Sequence, residues 1–437
     1  MIRILSLVAL ILTATLPARA ATDVIEVTSP GGITAWLVEE PSIPILTFEV
    51  DFDGGASIEP DDKLGVTSLM MGLLYEGAGD MDSLAFTQRS QELAARFRFS
   101  AGRDSVSVSA SMLTEFRDES LELLTTALTQ PTFPQDAIER DRASALSGIR
   151  SDETNPSTIA GRAFTRAAFP DHPYARPRSG TVETVTALTR EDFLAAHART
   201  MTQAGLTIGV VGDITAAELG PILDQVFGSL PETGPPAPEK REAVEAAETI
   251  VIEFDSPQSI VRFGHGGIDR EDPDFIAAFV VNQIFGAGGY SSRLIEEVRV
   301  KRGLTYGIST SLSSARYGSL FAGGVASAND TVAEAIELIK AEWERIATEG
   351  VTAQELEDAK RYLTGAYPLR FDGNSRIAGI LTGMQRSGQS LDYIERRNGL
   401  IEALTLEEVN RVAADLLRPE GLRFVVVGAP VGLTSTN

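Results

Sequence analysis

Apolar and polar positions alternate over Ile45–Phe52, and Ser105–Ser111 is rich in β-branched and small residues, so both stretches are predicted strands. The period changes over Asp118–Thr129, where Leu121, Leu124 and Leu128 fall three and four residues apart on one helical face. Ile250–Phe254 and Tyr306–Leu312 repeat the strand pattern in the second half. A longer helix is predicted from Val332, with Val332, Ile336, Ile339, Trp343 and Ile346 aligned, and Thr331 to Glu334 reads as a capping box at its start. Hairpin-like strand runs beside long helices predict an α+β fold, with helices packed on one side of a mainly antiparallel sheet.

The pattern also repeats. Residues 186–213 match residues 402–429 without a gap at an offset of 216. Ala187, Leu188, Thr189, Glu191 and Ala198 recur as Ala403, Leu404, Thr405, Glu407 and Ala414, and Gly205, Leu206, Val210, Val211 and Gly212 as Gly421, Leu422, Val426, Val427 and Gly428. In each copy a Thr can cap a helix whose first turn is acidic, and a strand ending in Gly follows, Leu206–Val211 or Leu422–Val427. Between the copies, residues 231–248 hold Pro235, Pro236 and Pro238 and then a charged, alanine-rich stretch, the composition of a linker. The expected organisation is therefore a first unit over residues 21–230, the linker, and a related unit over 249–437.

Residues 1–20 carry Arg3, an apolar run from Ile4 to Leu16, and Ala18-Arg19-Ala20. That is the layout of a signal peptide cleaved near Ala20, so the chain is expected to be exported, to the periplasm or beyond. The alternative is an uncleaved N-terminal anchor. With 43% hydrophobic and 23% charged residues the remainder is globular. A net charge of -23 disfavours nucleic acid and anionic lipid. Cysteine is absent, which removes disulfides, thiolate nucleophiles and cysteine-bound metals. The three histidines, His172, His197 and His265, are far apart in sequence and read as packing or surface residues. Asp51, Asp53, Asp61 and Asp62 match no calcium loop and read as solvated surface.

The most distinctive segment is FGAGGYSSRLIEEVRVKRGLTYGISTSL, residues 285–312. Ser291 or Ser292 can cap a helix with Leu294, Ile295 and Val298 buried, Lys301 and Arg302 at its end and Gly303 beyond, before a strand starting near Thr305. Taken with Gln258, GGIDREDPDF (266–275), FPDHPYARPRSG (169–180) and GVVGD (209–213), this segment resembles the pitrilysin/insulinase metallopeptidase family over essentially all of residues 24–430. The resemblance implies two related units forming half of a clam-shaped chamber. It also implies that Arg299 and Tyr306, seven residues apart, reach a catalytic site in the other half or in another subunit, where a guanidinium and a phenol can donate to a developing oxyanion.

Active members of that family carry H-x-x-E-H on a helix of the first unit, with a further zinc-binding Glu downstream. The matching stretch is GVTSLMMGLLYEGAG, residues 65–79. Ser68 stands at the first His, Met71 at the Glu and Gly72 at the second His, while Gly148, in the helix that also carries Asp141, stands at the downstream Glu. Ser68 has no neighbouring base, Met71 moves no proton and glycines bind no metal through a side chain. Val66, Leu69, Met70, Leu73 and Leu74 still form a core stripe, so the helix is kept and the site is lost. The expectation is a non-catalytic subunit that holds no zinc. A homologous H-x-x-E-H partner would supply the metal, and an unstructured peptide would bind as an added strand along a sheet edge. A stand-alone peptide-binding or chaperone-like protein is the alternative. An independent hydrolase has no nucleophile–base or metal motif to support it.

Overall fold

The computed structural model describes residues 23–436, so the signal segment expected at residues 1–20 lies outside the described residues. The first unit comprises β1 (Ile25–Thr28), β2 (Thr34–Glu39), β3 (Ile45–Asp53), α1 (Val66–Leu73), the two-residue β4 (Gly77–Ala78) and β5 (Met81–Asp82), and α2 (Ser83–Glu92). It continues with β6 (Arg96–Ala101), β7 (Ser105–Leu113), α3 (Arg117–Thr129), α4 (Gln135–Glu153), α5 (Pro156–Ala168), α6 (Val182–Ala187), α7 (Arg190–Thr200), β8 (Thr207–Gly212) and α8 (Ala216–Phe227). The second unit holds β9 (Thr249–Glu253), β10 (Gln258–Gly266), α9 (Phe275–Asn282), β11 (Thr305–Ala315), β12 (Gly318–Ala328) and α10 (Val332–Glu349). Then come α11 (Ala353–Gly365), α12 (Asn374–Arg386), α13 (Tyr393–Ala403), α14 (Leu406–Leu416) and β13 (Arg423–Gly428).

The sheets have orders β1-β2-β8-β3-β7-β6 and β11-β12-β10-β13-β9. Both are antiparallel except for one parallel pair each, β2 with β8 and β9 with β13. The repeat read from sequence is exact in structure: an offset of 216 carries α7 onto α14 and β8 onto β13, boundary for boundary. It follows that β6 and β11 are equivalent strands, each at the free edge of its sheet.

Alternation along β7 shows how the first sheet chooses its faces. Val106, Val108, Ala110 and Met112 enter the core, while Ser107 and Ser109 face the other way and donate to Asp51 and Glu49 of β3. Asp51 and Asp53 are thus not freely solvated. Arg386 lies 3.7 Å from Asp51, and Asp53 is paired with Arg316 and Arg386 of the second unit.

The face of each sheet turned away from its own core is where the units exchange helices. α5, from the first unit, lies across β10 and β13, placing Ala160 and Phe164 against Val425 and Val427. α12, from the second unit, lies across β8, β3 and β2, placing Ala378, Leu381 and Met384 against Trp36, Val38 and Val211. Gly209 in the middle of β8 permits this approach: a methyl group there would overlap the Ala378 carbonyl oxygen and come within 3.1 Å of Leu381 Cβ. Gln385 of α12 then completes the contact, donating to the Ile208 carbonyl (2.9 Å) and accepting from its N–H (3.3 Å).

In the second core, α10 buries Val332, Ile336, Ile339, Trp343 and Ile346, the residues aligned in the sequence. Its start differs from expectation. Thr331 sits in helical backbone and makes no cap; its hydroxyl meets Ser327 and the Ala328 carbonyl instead. The capping box forms one helix later, where Thr352 accepts from the Glu355 N–H and Glu355 from the Thr352 N–H.

Candidate functional site

α1 begins at Gly65, whose φ of 89° and close packing against the Ser179 carbonyl suit glycine. The buried Glu59 carboxylate accepts from the N–H groups of Gly65 and Thr67, both at 2.8 Å, and so satisfies two free donors of the first turn. One side of the helix is core: Val66, Leu69, Met70, Met71 and Leu73 are all buried. The other side presents Ser68 and Gly72, one turn apart, to α4. Together with Asp141, Ser144, Gly148 and Asp152 of α4 they line a groove of about 380 Å³.

Ser68, Gly72 and Gly148 therefore meet at one place. Met71 does not: its side chain is 0% exposed, packed into the first core. A Cβ on Gly72 would lie 3.4 Å from Asp141 Oδ2, and one on Gly148 would meet nothing within 4 Å. Burial, with Glu76 nearby, raises the Asp141 carboxyl above its ordinary range. Two carboxylates, of which Asp152 is paired with Arg162, two serine hydroxyls and two glycines do not make a zinc site, and no catalytic step can be routed through a metal here. Among the described residues, no group of three or more His, Cys, Asp or Glu side chains is arranged to hold a metal ion.

The histidines are each committed elsewhere. His172 contacts the Glu239 carbonyl and accepts from the Tyr174 N–H, and His197 contacts the Leu128 carbonyl. His265 is held by the Gly266 carbonyl, the Trp343 indole N–H and the Arg418 N–H. Burial pushes its pKa down to about 4, with Arg418 adding to the effect, so it is a neutral acceptor at pH 7.

The second cluster lies at the free edge of the other sheet. Residues 285–312 are more irregular than the sequence suggests. Residues Gln283–Ala287 and Ile295–Val300 are wound as π-helix, and the Ser292 hydroxyl turns back to the Gly289 carbonyl instead of capping. Gly286 lies so close to Thr310 that a side chain there would collide with it. Leu294, Ile295 and Val298 are buried, and the turn closes at Gly303 in a left-handed cap, with the Gly303 N–H on the Arg299 carbonyl and the Leu304 N–H reaching that of Val298. Lys301 and Arg302 both bond Glu297.

Beyond that turn, β11 departs from regular register between Thr305 and Ile308. Thr305 Oγ1 bonds the Ala326 carbonyl and accepts from the Gly307 N–H, and Tyr306 is thrown outward, 89% exposed. Arg299 Cζ lies 4.9 Å from the Tyr306 ring centroid and 4.8 Å from that of Tyr290, which is 74% exposed. The guanidinium is thus held between two phenol rings. Tyr290 was missed in the sequence; an aromatic residue directly after a glycine pair was the available signal. The cluster and the groove at α1 belong to different units.

Comparison with known proteins identifies the family. The family model described as Insulinase (Peptidase family M16) matches residues 35–182, and that described as Peptidase M16 inactive domain matches residues 187–363. The non-peptidase homolog YmxG of Helicobacter pylori is 23% identical over 389 residues, covering 89% of this chain and 90% of that protein. An uncharacterized zinc protease of Mycobacterium leprae is 25% identical, with 92% and 90% covered. The crystal structure of a peptidase M16 inactive domain from Pseudomonas fluorescens superposes with a TM-score of 0.88 at 28% identity, over 94% of this chain and 99% of that one. The chain belongs to the insulinase family of peptidases, M16, and is a non-catalytic member of it.

Proposed function

We propose that the chain is the non-catalytic subunit of a heteromeric, exported zinc metallopeptidase acting on unstructured peptides in the periplasm. A homologous partner with H-x-x-E-H holds the zinc and the water-activating Glu, and this chain supplies chamber wall and the Arg299/Tyr306 pair. The observation that carries this reading is the state of the two clusters. Ser68, Gly72 and Gly148, at the positions matched to ligands, offer no imidazole or carboxylate, whereas Arg299 is kept in place by Tyr290 and Tyr306 with both rings open to solvent. Exposed, preoriented donors at a free edge favour contact with a second molecule over packing. The edge strands β6 and β11 offer unpaired backbone groups to an extended peptide.

The test reconstitutes the chain with an H-x-x-E-H homologue and follows peptide cleavage, complex formation and zinc content together. The mixture should cleave, and the rigorously purified chain alone should not. Tyr306→Phe should lower turnover by about 10²–10³ if its hydroxyl is an oxyanion donor. Arg299→Ala should lower turnover as well, with assembly and zinc intact in both. If both variants cleave as fast as the unmodified pair, the Arg/Tyr assignment is wrong. A complex no more active than the homologue alone transfers the assignment to a stand-alone peptide-binding protein.

A further inference from the structure

A cavity of about 370 Å³ lies on the helical side of the second unit, among α9, α12, α13 and the turn at Tyr367–Arg370. Four arginines line it: Arg270, Arg370, Arg376 and Arg397. Elsewhere in the same unit arginines are paired with acids, as Arg293 with Glu355, Arg411 with Asp274, Arg418 with Glu245 and Arg423 with Glu248. Among the described residues none of the four has a carboxylate oxygen within 4 Å, in a chain with 61 acidic residues against 38 basic ones. Three neighbouring acids are engaged by other cations, Asp269 by Lys240, Asp274 by Arg411 and Asp392 by Arg396, and Glu271 and Asp372 lie beyond 4 Å of all four arginines.

The buried member makes the imbalance sharpest. Arg397 is 6% exposed. Its guanidinium lies 4.2 Å from the Tyr367 ring centroid and donates to the Leu363 carbonyl. Burial lowers its pKa; the Tyr367 and Tyr393 phenols work against that, and Arg370 and Arg270 add to it. Arg270 is likewise held by rings, 4.2 Å from Phe275 and 5.8 Å from Tyr393. Like charges gathered in a part-buried cavity without a counter-charge are costly unless an anion completes them. The remaining wall is apolar, with Ile276, Phe279, Ile380 and Met384. Gly379 and Gly383, one turn apart on α12, leave the floor open, and a Cβ at either would meet nothing within 4 Å.

From this juxtaposition we infer that the cavity binds an amphiphilic carboxylate, the acid group on the arginines and an apolar side group against α9 and α12. Its size is at the small end of ligand pockets, roughly 300–1,000 Å³, and suits about one or two amino-acid residues. A phosphate, hydrated all round, matches the arginines and not the apolar wall. A free small acid and the C-terminal residue of a peptide present the same chemistry. The inference does not depend on the catalytic-partner reading, because the cavity is complete within this chain.

The test is calorimetric titration of the full chain with N-acetyl-phenylalanine, its amide and inorganic phosphate, and with a ten-residue peptide ending in Phe as free acid or amide. The acid should bind and its amide should bind at least about tenfold more weakly, the value of one charge-assisted hydrogen bond. Arg376→Gln, at an exposed position, should cost a similar factor, and Gly379→Leu should abolish binding by filling the floor, neither lowering the melting temperature. Binding of the free-acid peptide assigns the site to chain ends; binding of the small acid alone assigns it to a free carboxylate. Equal binding of acid and amide, tighter binding of phosphate, no binding at millimolar acid, or full binding by both variants would overturn the inference.

Discussion

Gly209→Ala tests the helix exchange between the units, because two physical arguments give opposite signs. In a strand interior, alanine in place of glycine should stabilise by about 0.5–1 kcal/mol through reduced chain entropy. Here the added methyl meets backbone, the Ala378 carbonyl, which cannot turn away as a side chain can. α12 must lift from the sheet. Overpacking of this kind costs about 1–3 kcal/mol. The lift also breaks both bonds between Gln385 and Ile208, about 1 kcal/mol each. The net expectation is a loss of about 2–4 kcal/mol. Urea unfolding read by fluorescence is the assay. The chain has two tryptophans; Trp36 lies under α12 and Trp343 in the second core, so a Trp343→Phe background leaves a reporter at the contact itself. The control is Gly161→Ala on α5, where the methyl meets nothing within 4 Å and stability should rise by up to about 1 kcal/mol. If Gly209→Ala is neutral or stabilising, α12 does not rest on β8 as described.

Three further outcomes are expected. Met71→Glu should destabilise by about 3 kcal/mol at pH 8 and less at pH 5, since a carboxyl buried in an apolar core has a folded pKa above its unfolded one and the penalty grows as pH rises; Met71→Gln should show no such slope in denaturant titrations. His265, held near pKa 4 when folded and near its ordinary 6.5 when unfolded, makes stability fall by up to about 3 kcal/mol as pH drops from 6.5 to 4; His265→Gln should flatten that part of the pH–stability curve. Elemental analysis should find no stoichiometric zinc on the unmodified chain and at best weak zinc on Ser68→His/Met71→Glu/Gly72→His, with occupancy rising when Gly148→Glu is added; one tightly held zinc on the unmodified chain would refute the reading of the groove.

What was legible in the sequence was whatever periodicity or repetition encodes. The offset between the copies fixed α7, β8, α14 and β13, and the apolar stripe of α1 put Ser68 and Gly72 on the remaining face. Amphipathicity says that α5 and α12 bury a face and not which sheet receives it, so the exchange between units was invisible. The π-helical turns depend on distant packing, as of Gly286 on Thr310, and Thr331 lost its capping role to Ser327 and Ala328. Tyr290 joined the Arg299 cluster only because the chain doubles back at Gly289, where φ is 58°.

The exchanged helices also set an order on synthesis. When β10 and β13 are made, the helix that covers them, α5, already exists. The first sheet has no such advantage. Gln385 is 177 residues downstream of Ile208, so at about 5–20 residues per second Val211 waits on the order of ten to thirty-five seconds for its cover, and Trp36 and Val38, made earlier, wait longer. Throughout that interval the nascent chain presents an apolar sheet face with nothing of its own to place on it, the kind of surface that holding chaperones bind and that aggregates form on. A chain truncated anywhere between β13's partner strands and α12 keeps that face bare permanently.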